Sequence, residues 1–333
     1  MKKNVLLINL GTPLKPNAIE IYRYLTEFLN DRRVVDLPAF IRWPLVNLFI
    51  VPFRCHQSMK AYKKIWQTQG SPLLYNSIQL KEALAQELGE NYQVELGMRY
   101  GIPSIEDALQ LFQHQRNLIL LPLFPHYSSA ATGSALAKCM QLLASQWIIP
   151  DLSIKKEFYD HLGFIHAYSK MIQEQLHGLA IEKLLFSFHG LPERHIIKSG
   201  CRADCDKKHN CPTIQESNDH CYRAQCYATS NLIAQELQLN ESQYLVSFQS
   251  RLGRIPWIKP YTDLLLFELR KQNVKRLAVA SPSFVVDCLE TLEEINIRLR
   301  QQWLALGGEE LIFIPSLNYH PAWVKALSDI IKL

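Results

Sequence analysis

The chain has 333 residues, 48% of them hydrophobic and 20% charged, with a formal net charge of +5. That length exceeds one small core, and the ordinary composition and mild, dispersed charge exclude a disordered chain and a basic nucleic-acid-binding tail. No stretch reaches the about 20 apolar residues of a membrane span.

Short apolar runs alternate with amphipathic stretches along the whole chain. Residues 5–10 read as a buried first strand and not as a signal peptide, because the run stops at Gly11-Thr12-Pro13 and no small-residue cleavage site follows. Helix 18–29 is predicted next. The most apolar window, 43–53, is interrupted by Pro44, Asn47 and Pro52. Its pattern fits buried core first, or an apolar lip touching a membrane or a greasy substrate. Helix 77–88, strand 94–98, helix 104–114, strand 118–123 and helix 132–145 complete the first half. The second half repeats the theme, with strands at 154–157, 183–188, 243–248, 276–280 and 311–314. Its helices are predicted at 159–177, 217–237, 260–271, 287–306 and 320–331, with Gly307-Gly308 as a helix stop. This alternation predicts an α/β protein of two Rossmann-like, doubly wound parallel-sheet domains, 1–150 and 151–333.

One segment breaks the composition. Five of the eight cysteines fall in 198–226, a polar insert between a strand and a helix: Cys201, Cys205, Cys211, Cys221 and Cys226. The missing secretion signal points to a reducing compartment, so metal ligands or plain thiols are expected there and disulfides are not. The segment has too few large apolar residues to order itself by burial.

In open parallel sheets, ligands lie beyond the carboxyl ends of the strands. His189 follows the apolar run Leu185-Phe186-Ser187-Phe188 and can take a proton or bind a metal near neutral pH. By itself it is more simply a hydrogen-bonded strand-end histidine. Asp287, Glu290 and Glu294 open a predicted helix at spacings that put three carboxylates on one face. Crowded carboxylates raise the affinity for protons and cations; the plainer alternative is a solvated acidic face with Glu294 paired to Arg298. Neither GxGxxG nor GxxxxGK[ST] occurs, which argues against a nucleotide enzyme. GxSxG and HExxH are absent as well.

Taken together, these segments resemble the ferrochelatase family, whose members insert Fe(II) into protoporphyrin IX to make protohaem. The signature is Leu185-Phe186-Ser187-Phe188-His189-Gly190-Leu191-Pro192. It is joined by Phe248-Gln249-Ser250-Arg251-Leu252-Gly253, Pro256-Trp257, Pro260-Tyr261-Thr262-Asp263 and Asp287-Cys288-Leu289-Glu290-Thr291-Leu292-Glu293-Glu294. In the first half, Asn9-Leu10-Gly11-Thr12-Pro13, Gly70-Ser71-Pro72-Leu73, Met98-Arg99-Tyr100 and Pro125-His126-Tyr127-Ser128 also match. The resemblance runs in the family's order from about residue 4 to the C-terminus.

The resemblance implies two chelatase-type domains with the porphyrin cleft between them, the C-terminal helix packing back on the first. It implies His189 and Glu290 as the catalytic pair, with Glu294 and Asp287 joining them on the path of the Fe2+ substrate. Leu10, Arg99, Tyr100, Tyr127, Ser250 and Trp257 match residues that hold the macrocycle. The window 43–53, within 37–57, matches the apolar lip over the cleft, which favours substrate or peripheral membrane contact over core. Cys288 stands where animal members have histidine; several bacterial members also carry cysteine. Leu10 replaces the tyrosine of Gram-positive relatives that use coproporphyrin III, so protoporphyrin IX is the expected substrate and coproporphyrin III the alternative.

Some bacterial members draw [2Fe–2S] ligands from a segment just after the signature histidine. On that likeness Cys201, Cys205, Cys211 and Cys221 are the expected ligands, with Cys226 in reserve; zinc, helped by His209 and His220, or no metal are the alternatives. The x3, x5, x9 and x4 spacings match neither plant-type ferredoxins nor the CxxC pairs of structural zinc. The expected partners are protoporphyrin IX and Fe2+, without nucleic acid, in a cytoplasmic monomer or homodimer that could touch the inner membrane face. The competing functions are a cobalt or nickel chelatase for another tetrapyrrole, and a non-catalytic haem binder or iron–sulfur sensor on the same fold.

Overall fold

The structure, a computed structural model, describes residues 2–112, 116–200, 213–253 and 255–333. It divides into two compact units. Met1–Phe124, Ser128–Glu157 and Leu327–Leu333 form the first; Pro125–Tyr127 and Phe158–Ala326 form the second.

The first unit holds a four-stranded parallel sheet in the order β2-β1-β3-β4, with β1 Lys3–Gly11, β2 Tyr92–Tyr100, β3 Asn117–Pro122 and β4 Asp151–Ile154. A parallel sheet is covered on both faces, so its central strands read as unbroken apolar runs. Val5, Leu6, Leu7 and Ile8 of β1 are accordingly all fully buried. On one face Leu6, Ile8, Leu118 and Leu120 pack with Phe112, Cys139 and Leu143. The ends of β1 and β2 approach closely at Gly11, where φ is +106° and an added Cβ would lie 1.7 Å from the Tyr100 carbonyl oxygen. Only glycine fits that junction, which accounts for the Gly-Thr-Pro turn.

The second unit repeats the architecture in the order β6-β5-β7-β8, with β5 Lys183–His189, β6 Tyr244–Gln249, β7 Arg276–Ala280 and β8 Glu310–Phe313. Its core gathers Leu185, Val279, Leu266, Ile295 and the fully buried Trp303. The Trp303 indole donates to the Glu310 carbonyl at 2.9 Å, so the ring is satisfied as well as buried.

Every predicted strand exists, with shifted ends in all but β7. The strand expected at 154–157 lies at Asp151–Ile154, because it is an edge strand whose polar Asp151 and Ser153 hide it from an apolar search. His189 is the last residue of β5 and not the first residue beyond it. Two predicted α-helical stretches begin as π-helices, Ser129–Gly133 and Glu290–Leu299.

The apolar window 43–53 is not core. It lies in a helical run formed by Ala39–Pro44, the π-helical Leu45–Ile50 and Val51–Ile65. Only Val46 and Val51 are buried within it, while Phe40, Trp43, Leu48, Phe49 and Phe53 are exposed. Among the described residues no helix is long and apolar enough to cross a membrane. Cys201, Cys205, Cys211 and His209 lie outside the described residues.

Candidate functional site

In the second unit, β5 and β6 end side by side, with His189 opposite Gln249. Their parallel register therefore delivers a histidine and an amide to one sheet edge. The half-buried His189 is held at three points. Its amide donates to the Ser283 hydroxyl at 3.1 Å, and its carbonyl accepts from the Tyr222 hydroxyl at 2.8 Å. Its Nδ1 lies 2.6 Å from the Gly190 carbonyl oxygen. A carbonyl only accepts, so Nδ1 carries the proton and Nε2 presents the lone pair. Gly190 is required here, since a Cβ would lie 2.7 Å from the Gln249 carbonyl oxygen.

The acidic helix lies on the same sheet edge. Gln249 accepts from the Ser187 hydroxyl at 2.7 Å and donates to the Glu290 carbonyl at 2.9 Å, so β6 fixes the first turn of Glu290–Leu299. Bonding from i to i+5 puts roughly four to five residues in a turn. Glu290, Glu294 and Arg298 therefore stay close to one line. The Ser250 hydroxyl donates to the Glu294 carboxylate from a backbone φ of +65°, a strained conformation for a serine that serves to aim its side chain. Arg298 contacts Glu294 at 3.2 Å and Glu293 at 3.0 Å. Burial and the nearby Glu290 charge push the Glu294 carboxyl up; the Ser250 hydrogen bond, Arg298 and His189 hold it back only in part.

Asp287 stands apart from the face expected for it. It precedes the π-helix, is buried, and spends its carboxylate on the chain. Oδ1 accepts from the Thr291 hydroxyl at 2.9 Å and the Ser316 amide at 3.1 Å, and Oδ2 accepts from the Asn318 side chain at 2.8 Å. The one-face expectation assumed an α-helix running through 287. Cys288 beside it is buried, and that burial pushes its thiol well above the usual range, aided by the Glu290 charge. Among the described residues no group of three His, Cys, Asp or Glu side chains is arranged to hold a metal ion.

Trp257 anchors its loop by donating to the Leu252 carbonyl at 2.9 Å, and the Tyr127 amide donates to the Gln225 side chain at 2.8 Å. His126 is a second histidine of this unit with a different character. Burial pushes it down to about 3, and its Nε2 lies 2.9 Å from Thr229, whose hydroxyl donates to the Tyr159 carbonyl. It is a neutral packing residue, edge-on to Phe188.

In the first unit, Arg99 and Tyr100 end β2 in one buried network. Arg99 donates to Asp31 at 2.6 Å and to Ser134 at 2.7 Å. The Tyr100 hydroxyl reaches the same Asp31 oxygen at 3.0 Å, and Ser134 reaches it at 2.5 Å. Tyr100 is fully buried, and Leu10 is partly buried immediately before the Gly-Thr-Pro turn that ends β1. Asp31, Ser134, Gln249, Tyr222 and Ser283 were not among the expected site residues. Gln249 and Ser283 carried a signal, since Gln249 ends β6 and Ser283 lies in the turn that follows β7; Asp31 and Tyr222 carried none.

Comparison with known proteins follows the same direction. A family model described as ferrochelatase matches residues 2–333. A ferrochelatase of Coxiella burnetii is 50% identical over 334 residues, 99% of this chain and 93% of the relative. One of Legionella pneumophila is 50% identical over 336 residues, 100% of this chain and 99% of the relative. Among solved structures, SirB from Bacillus subtilis with Fe3+ superposes with a TM-score of 0.57 at 12% identity, covering 100% of this chain and 95% of that one. At that identity the likeness concerns the fold.

Proposed function

The chain belongs to the ferrochelatase family, and on that premise we propose that it inserts Fe(II) into protoporphyrin IX, releasing two protons and forming protohaem. The observation that carries this reading is the whole-length match at 50% identity to relatives of that activity. It is an enzyme of the lyase class, which sets aside the non-catalytic haem binder.

Metallation must strip two pyrrole protons while hydrated Fe(II) sheds its waters. A macrocycle held puckered exposes its nitrogen lone pairs, so binding energy spent on distortion lowers the barrier. We assign proton acceptance to His189 Nε2, the lone pair left free by the Gly190 contact. Glu290 and Glu294 form an acidic column leading from it, with Glu294 aimed by Ser250. Asp287 we assign to fixing the start of that column through Thr291, Ser316 and Asn318. On the family likeness, Leu10, Arg99, Tyr127 and Trp257 are proposed macrocycle contacts. Tyr100, with its hydroxyl committed to Asp31, supports Arg99 from behind.

The pH dependence follows from Arg298. Its charge lowers the Glu294 carboxyl, against burial, which raises it. In an Arg298→Gln variant the acidic limb of the kcat/KM profile is expected at higher pH, and Arg298→Lys is expected to restore it. An unmoved limb would mean that Glu294 does not titrate in catalysis.

The [2Fe–2S] group remains a proposal resting on the family likeness. Of the expected ligands only Cys221 is described. It is buried immediately before helix Tyr222–Glu236, at the end of the insert, and so suits the innermost ligand. Cys226 is fully buried one turn later, facing Tyr222, which fits its reserve status. When bound, such a group would be held by the thiolates of the cysteines that ligate it. A cytoplasmic protein with peripheral membrane contact through the exposed Trp43, Leu48, Phe49 and Phe53 is proposed on the same footing.

The experiment is an anaerobic metallation assay with Fe(II) and either protoporphyrin IX or coproporphyrin III, on a preparation also assayed for iron and acid-labile sulfide. Haem formed from protoporphyrin IX at the higher kcat/KM is expected. No turnover with either porphyrin would overturn the assignment, and a sulfide-free active enzyme would remove the cluster.

A further inference from the structure

The outer edge of β4 is complementary to itself. β4 bonds to β3 through the Asp151 amide, which donates to the Arg116 carbonyl at 2.7 Å, and the Lys155 amide, which donates to the Leu120 carbonyl at 3.0 Å. In a parallel ladder the partner side alternates, so Asp151, Ser153 and Lys155 address β3. Leu152 and Ile154 turn their N–H and C=O groups outward, where among the described residues no strand of the sheet follows.

We propose that this edge pairs antiparallel with the same edge of a second copy of the chain, about a two-fold axis through Ser153. Three features of the strand agree on that register. It opposes Leu152 of one copy to Ile154 of the other, both outward-facing, so each pair exchanges two hydrogen bonds. It opposes Asp151 to Lys155 on one face of the sheet, a pairing of opposite charges that occurs twice by symmetry. On the other face, Leu152 already packs on the core of its own unit, whereas Ile154 is 41% exposed. The pairing lays each Ile154 beside the partner copy's Leu152.

Neighbouring registers fail. A slip by one residue in the pairing sets an outward-facing residue against an inward-facing one and forfeits the ladder. The next register toward the N-terminus opposes Ile154 to Pro150, which has no N–H to give. The next in the other direction opposes Ile154 to itself and Lys155 to Ser153, with no charge pair. Edge strands are usually blunted by charges of one sign or by covering elements; here the two charges are of opposite sign and complement each other under a two-fold. Trp147, Ile148 and Ile149 lead into this edge at 101%, 72% and 59% exposure, adding apolar surface that a strand pair alone lacks.

Sedimentation velocity across micromolar concentrations tests the proposal on the full chain. The wild type is expected to show a concentration-dependent dimer. Lys155→Asp and Asp151→Lys each set like charges opposite one another twice, and each is expected to weaken the dimer about tenfold or more. The double exchange Asp151→Lys/Lys155→Asp restores it, and iron insertion is unchanged in all three. Ser153→Cys gives an independent, register-specific test. Residues on the axis form a non-hydrogen-bonded pair with Cα atoms about 4.5 Å apart, within disulfide reach. Oxidation is expected to link two copies through that cysteine, whereas Asp151→Cys is expected not to cross-link. A monomer at every concentration overturns the proposal, and so does a dimer indifferent to the single exchanges and not linked by Ser153→Cys. A monomer that binds anionic lipid vesicles, and loses them on Trp147→Ser, overturns it in favour of a membrane contact.

Discussion

Replacing His189 by alanine is expected to lower kcat for iron insertion by about 10²–10⁴-fold, the range for loss of a positioned general base. The argument rests on one atom. With Nδ1 engaged at the Gly190 carbonyl, Nε2 is left as the ring's acceptor at the carboxyl end of β5. The backbone contacts to Ser283 and Tyr222 do not involve the imidazole, so the strand end is expected to keep its place in the variant. Porphyrin affinity, read by fluorescence quenching, should then change by no more than a few-fold while turnover collapses. A kcat within tenfold of wild type would shift the proton acceptor elsewhere in the second unit, with Glu290 the next candidate.

The second large effect concerns stability. Asp31 is the hub of the first unit's buried network, accepting from Arg99, Tyr100, Ser134 and the Arg33 amide. Asp31→Ala strands the Arg99 guanidinium, whose side chain is 16% exposed, without its counter-charge. Breaking one side of a buried pair costs about 3–5 kcal/mol, because the remaining charge stays desolvated. The urea midpoint of the variant should fall accordingly, and Asp31→Ala/Arg99→Met should recover much of the loss. Equal midpoints for wild type and Asp31→Ala would show the network to be energetically idle.

Asp31 also sets a pH dependence. Burial alone would raise its carboxyl, but Ser134, the Arg33 amide and the Arg99 charge outweigh that and leave it below the ordinary 3.8. The unfolded chain therefore takes up this proton at a higher pH than the folded one. The stabilisation is complete above the ordinary carboxylate value and drains away as pH falls through the lower folded value. Acid unfolding of the first unit should be correspondingly less steep in Asp31→Asn.

What could be read from the chain follows physical range. The parallel sheets were legible because β1, β3 and β5 each carry a short apolar run, a property of each strand alone. The position of His189 at the end of β5 was legible from its place after Phe188, and the alignment of Glu290 with Glu294 from a four-residue spacing that survives the change from α to π. The hydrogen bonding of Asp287 was not legible, because its partners Ser316 and Asn318 arrive from another part of the chain. Asp31 was invisible for the same reason, since Arg99 and Ser134 meet it only in the folded unit. The window 43–53 looked like core because hydropathy counts residues and does not say which way a helix turns them.

The π-helix Glu290–Leu299 also constrains how this gene can drift. A π-helix differs from an α-helix by the extra residue each turn accommodates. Losing one codon between Glu290 and Glu294 would leave a helix that still folds and a composition nearly unchanged. It would nonetheless swing Glu294 by roughly 80° about the axis, the angular step of one residue at four to five per turn, and carry it away from Ser250. Point substitutions in this segment can accumulate by degrees, whereas a single-codon deletion breaks the acidic column in one step.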